Sequence, residues 1–184
     1  MQSQQQFQSK QLELNEIIEN NPGLDEKTDQ IYFQYMDALN GLKKIKIQDV
    51  YEMKSIRRPP QLIERVLNLL TILLKENYVD QDNWIECLKL LNDRRFLDYL
   101  LNYDISSITE EKLNLLQPIH TFDEKIIYSS SFFVYQIYKY ILAIVKQREQ
   151  PKQKVINQIG QMKQDLRKLQ KYIEKLKKIL GQTE

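Results

Sequence analysis

From Val155 onward, Ile159, Met162, Leu166, Leu169, Ile173, Leu176 and Leu180 follow one another at spacings of four and three without a break. That alternation is the seam of a coiled-coil or bundle helix. At about 1.5 Å per residue it makes an apolar ridge of roughly 38 Å, which water leaves exposed only at a cost, so a partner helix is required. A second seam, Ile31, Tyr35, Ala38, Leu42 and Ile45, has the same spacing. Residues 29–47 and 152–180 are therefore expected to clasp as a short antiparallel coiled coil, with Gly181 closing the longer helix as its C-cap.

Between the seams the punctuation is helical too. Only four glycines and five prolines occur in 184 residues, which leaves little for tight hairpins and favours an all-α bundle. A chain of this length is one domain by the usual expectation, and with 42% hydrophobic residues it can bury a core. Pro59 and Pro60 end one helix at Arg57 and Arg58 and open the next, whose Leu62, Ile63, Val66, Leu67, Leu70, Leu73 and Leu74 form one broad apolar face. Asp80 or Asp82 caps a helix with Trp84, Ile85, Leu88, Leu90 and Leu91, and Asn92 caps another with Phe96, Leu97, Leu100 and Leu101. Ser107 with Glu110 and Thr121 with Glu124 have capping-box spacing, the latter opening a helix to about Gln147. Near the start, residues 9–20 read as a short helix stopped by Asn21, Pro22 and Gly23, behind a frayed polar tail.

Charge is unevenly placed. Residues 1–145 carry 16 Lys and Arg against 21 Asp and Glu, and residues 146–184 carry 11 against 4, so the ends differ as −5 and +7. Lys163, Arg167, Lys168, Lys171, Lys175, Lys177 and Lys178 line the last helix, either as a solvated surface or as a face for an acidic partner. Nucleic acid, anionic lipid and the acidic surface of tubulin all satisfy that charge. The first residues lack the blocks of a secretory signal, and Cys87 alone allows no internal disulfide; both suit an intracellular, reducing setting.

Catalytic and metal chemistry find no foothold. His120 is the only histidine and follows Pro118 in an expected loop, Cys87 reads as a small buried residue, and no His or Cys pairs exist for a closed zinc site. No cofactor motif is present, and no GxxxxGK(S/T) loop to cradle phosphates. Residues 126–145 are long and apolar, but three serines, Gln136 and Lys139 interrupt them, so burial on several faces is the expectation and not a membrane span.

The order Ala38, Leu39, Leu42, then Asp49, Val50, Glu52, Met53, Lys54, Ser55, then Pro59 and Pro60 resembles the microtubule-binding tip of the dynein heavy-chain stalk. Trp84, Phe96, Leu97, Leu100, Leu101, Tyr103 and Asp104 continue the likeness, as do Ile108, Leu113, Leu116 and the stretch 121–131. The resemblance covers about residues 38–150. It implies a helical tip bundle (48–150) carried on coiled-coil helices (29–47 and 151–184), behind a polar tail and short helix (1–28); the missing phosphate loop and the polar start, unlike a long stalk helix, add the expectation of a non-enzymatic, free-standing chain without the motor. It also implies partners, tubulin or other axonemal proteins, and a place in the ciliary axoneme. By position the binding cations are Lys54 and Arg94; Arg57 and Arg58 add charge at the same corner, and Lys139 is the one cation kept on the last tip helix. Tyr128, Tyr135 and Tyr138 (with Tyr140) stand where the family carries small or basic residues, which suits either a permanent aromatic interface or plain core packing. The alternative from another class is a nucleic-acid or anionic-membrane binder using the basic C-terminal helix.

Overall fold

The computed structural model describes residues 2–75 and 83–180. All regular structure among them is helical: α1 (Gln2–Glu19), α2 (Leu24–Leu42), α3 (Ile47–Ser55), α4 (Gln61–Leu74), α5 (Trp84–Asn92), α6 (Phe96–Leu101), α7 (Glu110–Leu116), α8 (Glu124–Ser130), α9 (Phe132–Arg148) and α10 (Gln153–Leu180), with short 3-10 turns at Ile105–Ser107 and Gln117–Thr121. The expected caps at Asp80, Asp82 and Gly181 lie outside the described residues. The chain divides into two compact units, one of residues up to 33 with those from 151 on, the other of residues 34–150.

In the first unit α1 is a full helix where a frayed tail was expected. Glutamine is a good helix former, and the helix gains a surface to lie on: Leu14 is buried, and Lys10 meets Asp165 at 3.7 Å. Phe7 and Gln4 neighbour Ile173 and Lys177. As α1 numbers rise from 4 to 10, their α10 neighbours fall from 177 to 165, so α1 is the antiparallel partner of α10. Gly23, at φ +78°, turns the chain into α2. Within this unit the residues of α2 up to Phe33 also meet α10, and run in the same direction: Asn21 Oδ1 lies 3.2 Å from Lys152 Nζ, and the Arg167 guanidinium 4.4 Å from the Phe33 ring centre. Between them Lys163 bridges Asp25 and Asp29 at 2.6 and 2.8 Å. Gly160 lets the helices close up, since a Cβ there would meet the Tyr32 ring at 2.2 Å.

In the second unit α4 and α9 form the centre. From Ile63 to Leu73 nearly every α4 side chain but Glu64 and Arg65 is buried, and α9 buries residues on all sides from Phe133 to Gln147. That burial accounts for the apolar run from Phe133 to Val145, whereas Ile126, Tyr128 and Phe132 earlier in the stretch are exposed; among the described residues no helix is long and apolar enough to cross a membrane. The later half of α2 belongs here, with Ala38 and Leu42 buried and Gly41 opposite Gln136. Tyr103 Oη and Lys112 Nζ both donate to the Leu73 carbonyl at 3.1 Å, satisfying an orphan acceptor at the end of α4.

Several caps fall one to three residues from their expected places. Asn83 caps α5, Thr109 caps α7 and Asp123 caps α8, while Arg95, without a side-chain bond, precedes α6. The long helix expected from Glu124 to Gln147 is broken at Ser131. The Ser129 and Ser130 hydroxyls donate back to the Ile126 carbonyl, Ser131 turns extended, and its Oγ accepts the Val134 N–H at 3.3 Å to start α9 afresh.

Candidate partner-binding elbow

The elbow is the path from the end of α2 to the start of α4. Lys43 and Lys44 turn the chain out of α2, Ile45 tucks into the core, and the Asp49 carboxylate accepts the Lys46 N–H at 2.7 Å to start α3. Val50 and Met53 face the core. The neighbouring flank carries Ile47, 62% exposed, Tyr51, 54% exposed, and half-buried Lys54, whose ammonium stands 5.2 Å from the centre of the Tyr51 ring. Positions i, i+4 and i+7 share one side of a helix, so α3 presents an apolar row with a cation at its end.

Ile56 ends α3 in extended conformation, and its carbonyl accepts the Trp84 indole N–H at 3.1 Å. Arg57 and Arg58 follow, both exposed, before Pro60 caps α4 one residue ahead of Gln61. Between residues 43 and 58 stand six Lys and Arg against Asp49 and Glu52. Among the described residues none of the six has an ion pair within 4 Å. A groove of about 330 Å³ separates α3 from the α8–α9 break, with Glu52 and Met53 on one bank and Ser130 and Phe132 on the other.

The remaining sequence-expected residues are dispersed. Arg94 is exposed just beyond α5, whose other end holds Trp84, so about 13 Å of helix separates it from the corner. Lys139 is already matched: its ammonium lies 2.6 Å from Asp37 and 5.8 Å from the Tyr135 ring centre. Of the tyrosines, Tyr138 is 4% exposed and Tyr140 is buried, so both pack in the core. Tyr128 is 69% exposed and meets the edge of Tyr135 at 5.0 Å; Tyr135 is half-buried and donates to Glu124 at 3.0 Å. Burial, reinforced by that carboxylate, pushes the Tyr135 phenol up to about 12.

Sequence reasoning missed Lys43, Lys44 and Lys46, although their spacing just after a helix end was a visible sign. It also missed Ile47 and Tyr51, because a nine-residue helix with Ile47, Val50, Tyr51 and Met53 does not declare which apolar pair turns inward. Of the other chemistry, Cys87 is buried beside Thr71, and His120 sits 3.4 Å from Glu149. No group of three or more His, Cys, Asp and Glu among the described residues is placed to hold a metal.

Part of the chain is similar to axonemal dynein heavy chains. It is 30% identical over 93 residues to the dynein gamma chain of the flagellar outer arm of Chlamydomonas reinhardtii, which takes in 44% of this chain. To human dynein axonemal heavy chain 14 it is 37% identical over 84 residues, 46% of the chain, and to human axonemal heavy chain 8 it is 29% identical over 93 residues, 45% of the chain. In each case the match spans only 2% of the relative's length. No protein-family model matches. The similarity is thus to a small segment of very long chains, and it agrees in kind with an all-α bundle.

Proposed function

We propose that this chain is a non-motor, structural microtubule-associated protein, similar to the dynein stalk tip, and that it docks through the elbow on the acidic surface of tubulin in ciliary doublets. The observation that carries this reading is the outward row Ile47, Tyr51 and Lys54, bordered by Lys43, Lys44, Lys46, Arg57 and Arg58, none of which has an ion pair within 4 Å among the described residues. Unmatched cations steer an acidic partner into place, and the apolar row supplies the contact area that charge alone does not. Ciliary placement rests on the names of the similar heavy chains, and other axonemal proteins are the near alternative as partners. Arg94 is a second, separate contact in this reading, and Lys139 a structural one.

Co-pelleting with microtubules over a salt series, beside binding to duplex DNA and to anionic vesicles, tests it. Lys54→Glu, Arg57→Glu and Arg58→Glu together are expected to weaken microtubule binding at least tenfold while leaving helix content unchanged. Preferential binding to DNA or vesicles, insensitive to the triple change, would assign the chain to the basic C-terminal helix instead.

A further inference from the structure

The seam of α10 is closed along its first half and open along its second. Ile156, Ile159 and Leu166 are buried, whereas Leu169, Ile173 and Leu176, at the same four-three spacing, are half-buried. α1 reaches this second half with a glutamine-rich stretch in which Phe7, beside Ile173, is the apolar residue. On one of its flanks Gln6, Ser9 and Lys10 border a groove of about 500 Å³ that runs over Lys168 and Leu169. Tyr172, Lys175 and Leu176 follow at i+3 and i+4 spacings and extend the same side of α10. Tyr172 is more than half exposed. Leu169, Tyr172 and Leu176 thus form an apolar row on a two-helix section, where one more helix is needed to shut the seam.

The border charges decide what kind of helix fits. Asp165 is the acid in the groove, and it is divided between Lys10 at 3.7 Å and Lys168 at 3.9 Å. Lys175 has no ion pair within 4 Å among the described residues. A second copy laid into the groove through this same face would bring its own Lys168 and Lys175 against these, and like charges repel. Carboxylates complete the pattern.

We propose that this groove docks an acidic amphipathic helix of another protein, its apolar side on Leu169, Tyr172 and Leu176 and its carboxylates against Lys10, Lys168 and Lys175. The site does not depend on the elbow.

The test uses the full chain and a labelled synthetic helix of about three heptads, leucine at the seam positions and glutamate beside them, with a twin carrying lysine in place of glutamate. In fluorescence anisotropy the glutamate peptide is expected to bind at least tenfold more tightly than its twin. Lys168→Glu with Lys175→Glu, and separately Tyr172→Asp, should each cost that preference, with circular dichroism unchanged because all three side chains are exposed. The elbow variant Lys54→Glu, Arg57→Glu, Arg58→Glu should retain it, which separates this site from the proposed microtubule contact. Equal binding of the two peptides overturns the proposal, as does indifference to both sets of α10 changes. Displacement of the peptide by duplex DNA or phosphatidylserine vesicles at lower concentration would assign the groove to those ligands, and a dimer in sedimentation that Tyr172→Asp dissolves would assign it to a second copy.

Discussion

The indole N–H of Trp84 donates to the carbonyl of Ile56 at 3.1 Å, tying the first residue of α5 to the residue that ends α3. Ile56 stands immediately before Arg57, so the exposed cations of the elbow are anchored by a side chain 28 residues away. A backbone held this way fixes where Arg57 and Arg58 leave the corner, which lowers the ordering cost of docking.

Trp84→Phe should therefore do two separable things. It removes one hydrogen bond, costing about 1 kcal/mol in urea denaturation. It should also raise amide exchange at residues 56–58 well beyond that global loss, read by hydrogen–deuterium exchange mass spectrometry. Uniform protection loss across the second unit would show that the indole does not hold the corner.

Glycine positions give a contrast. At Gly160 an added Cβ meets three atoms of the Tyr32 ring at 2.2 to 2.6 Å, and the ring is buried against α10. Gly160→Ala should destabilise the first unit by about 1–3 kcal/mol in spite of the better helix propensity of alanine. At Gly41 the near atom is the amide oxygen of Gln136, the far end of a flexible side chain. Gly41→Ala should shift stability by less than about 1 kcal/mol, in either direction. Chemical denaturation of both variants decides the pair.

These glycines show where reading the sequence stops. The helical class, the seams, the corner at Pro59 and Pro60 and the buried character of residues 133–145 follow from spacing and propensity, which are local. Which seam faces which is not local. The four-three repeat from Val155 to Leu180 suits a parallel or an antiparallel neighbour equally, and the polar α1, with Phe7 and Leu14 as its main apolar anchors, carries too weak a signal to announce itself as the antiparallel one. The α8–α9 break was missed for a similar reason. Three consecutive serines are tolerated inside a helix, and only the extended backbone of Ser131 shows that one helix ends there and that the Ser131 hydroxyl caps the next. At the site, the position of Arg57 and Arg58 was readable, whereas the pairing of Lys139 with Asp37 joins residues 102 apart and had no sequence mark.

Tyrosine ionisation supplies a pH signature. Burial, helped by the hydrogen bond to Glu124, raises the Tyr135 phenol from its ordinary value near 10 to about 12, and burial raises Tyr140 as well. Between those two pH values the unfolded chain releases the proton and the folded chain keeps it. Stability from this group is complete below about pH 10 and is lost as pH rises toward about 12. Tyr135→Phe should flatten part of that alkaline fall in melting temperature, and absorbance at the phenolate band should show one fewer late-titrating tyrosine.

The lysines that sequence reasoning passed over provide the sharpest check on the elbow. Lys43, Lys44 and Lys46 are exposed, lie within a few residues of the Ile47–Tyr51 row, and have no ion pair among the described residues. If microtubule docking runs through this corner, changing all three to glutamine should weaken co-pelleting several-fold at low salt and reduce the steepness with which added salt releases the protein, because fewer screened contacts remain to be lost. At high salt the variant and the parent should converge, since the apolar contact of Ile47 and Tyr51 is untouched. Tyr51→Asp should do the reverse, lowering affinity at every salt concentration while leaving the slope alone apart from the added charge. A triple-glutamine variant whose salt dependence equals the parent's would remove these residues from the interface and leave Lys54, Arg57 and Arg58 to carry the corner by themselves.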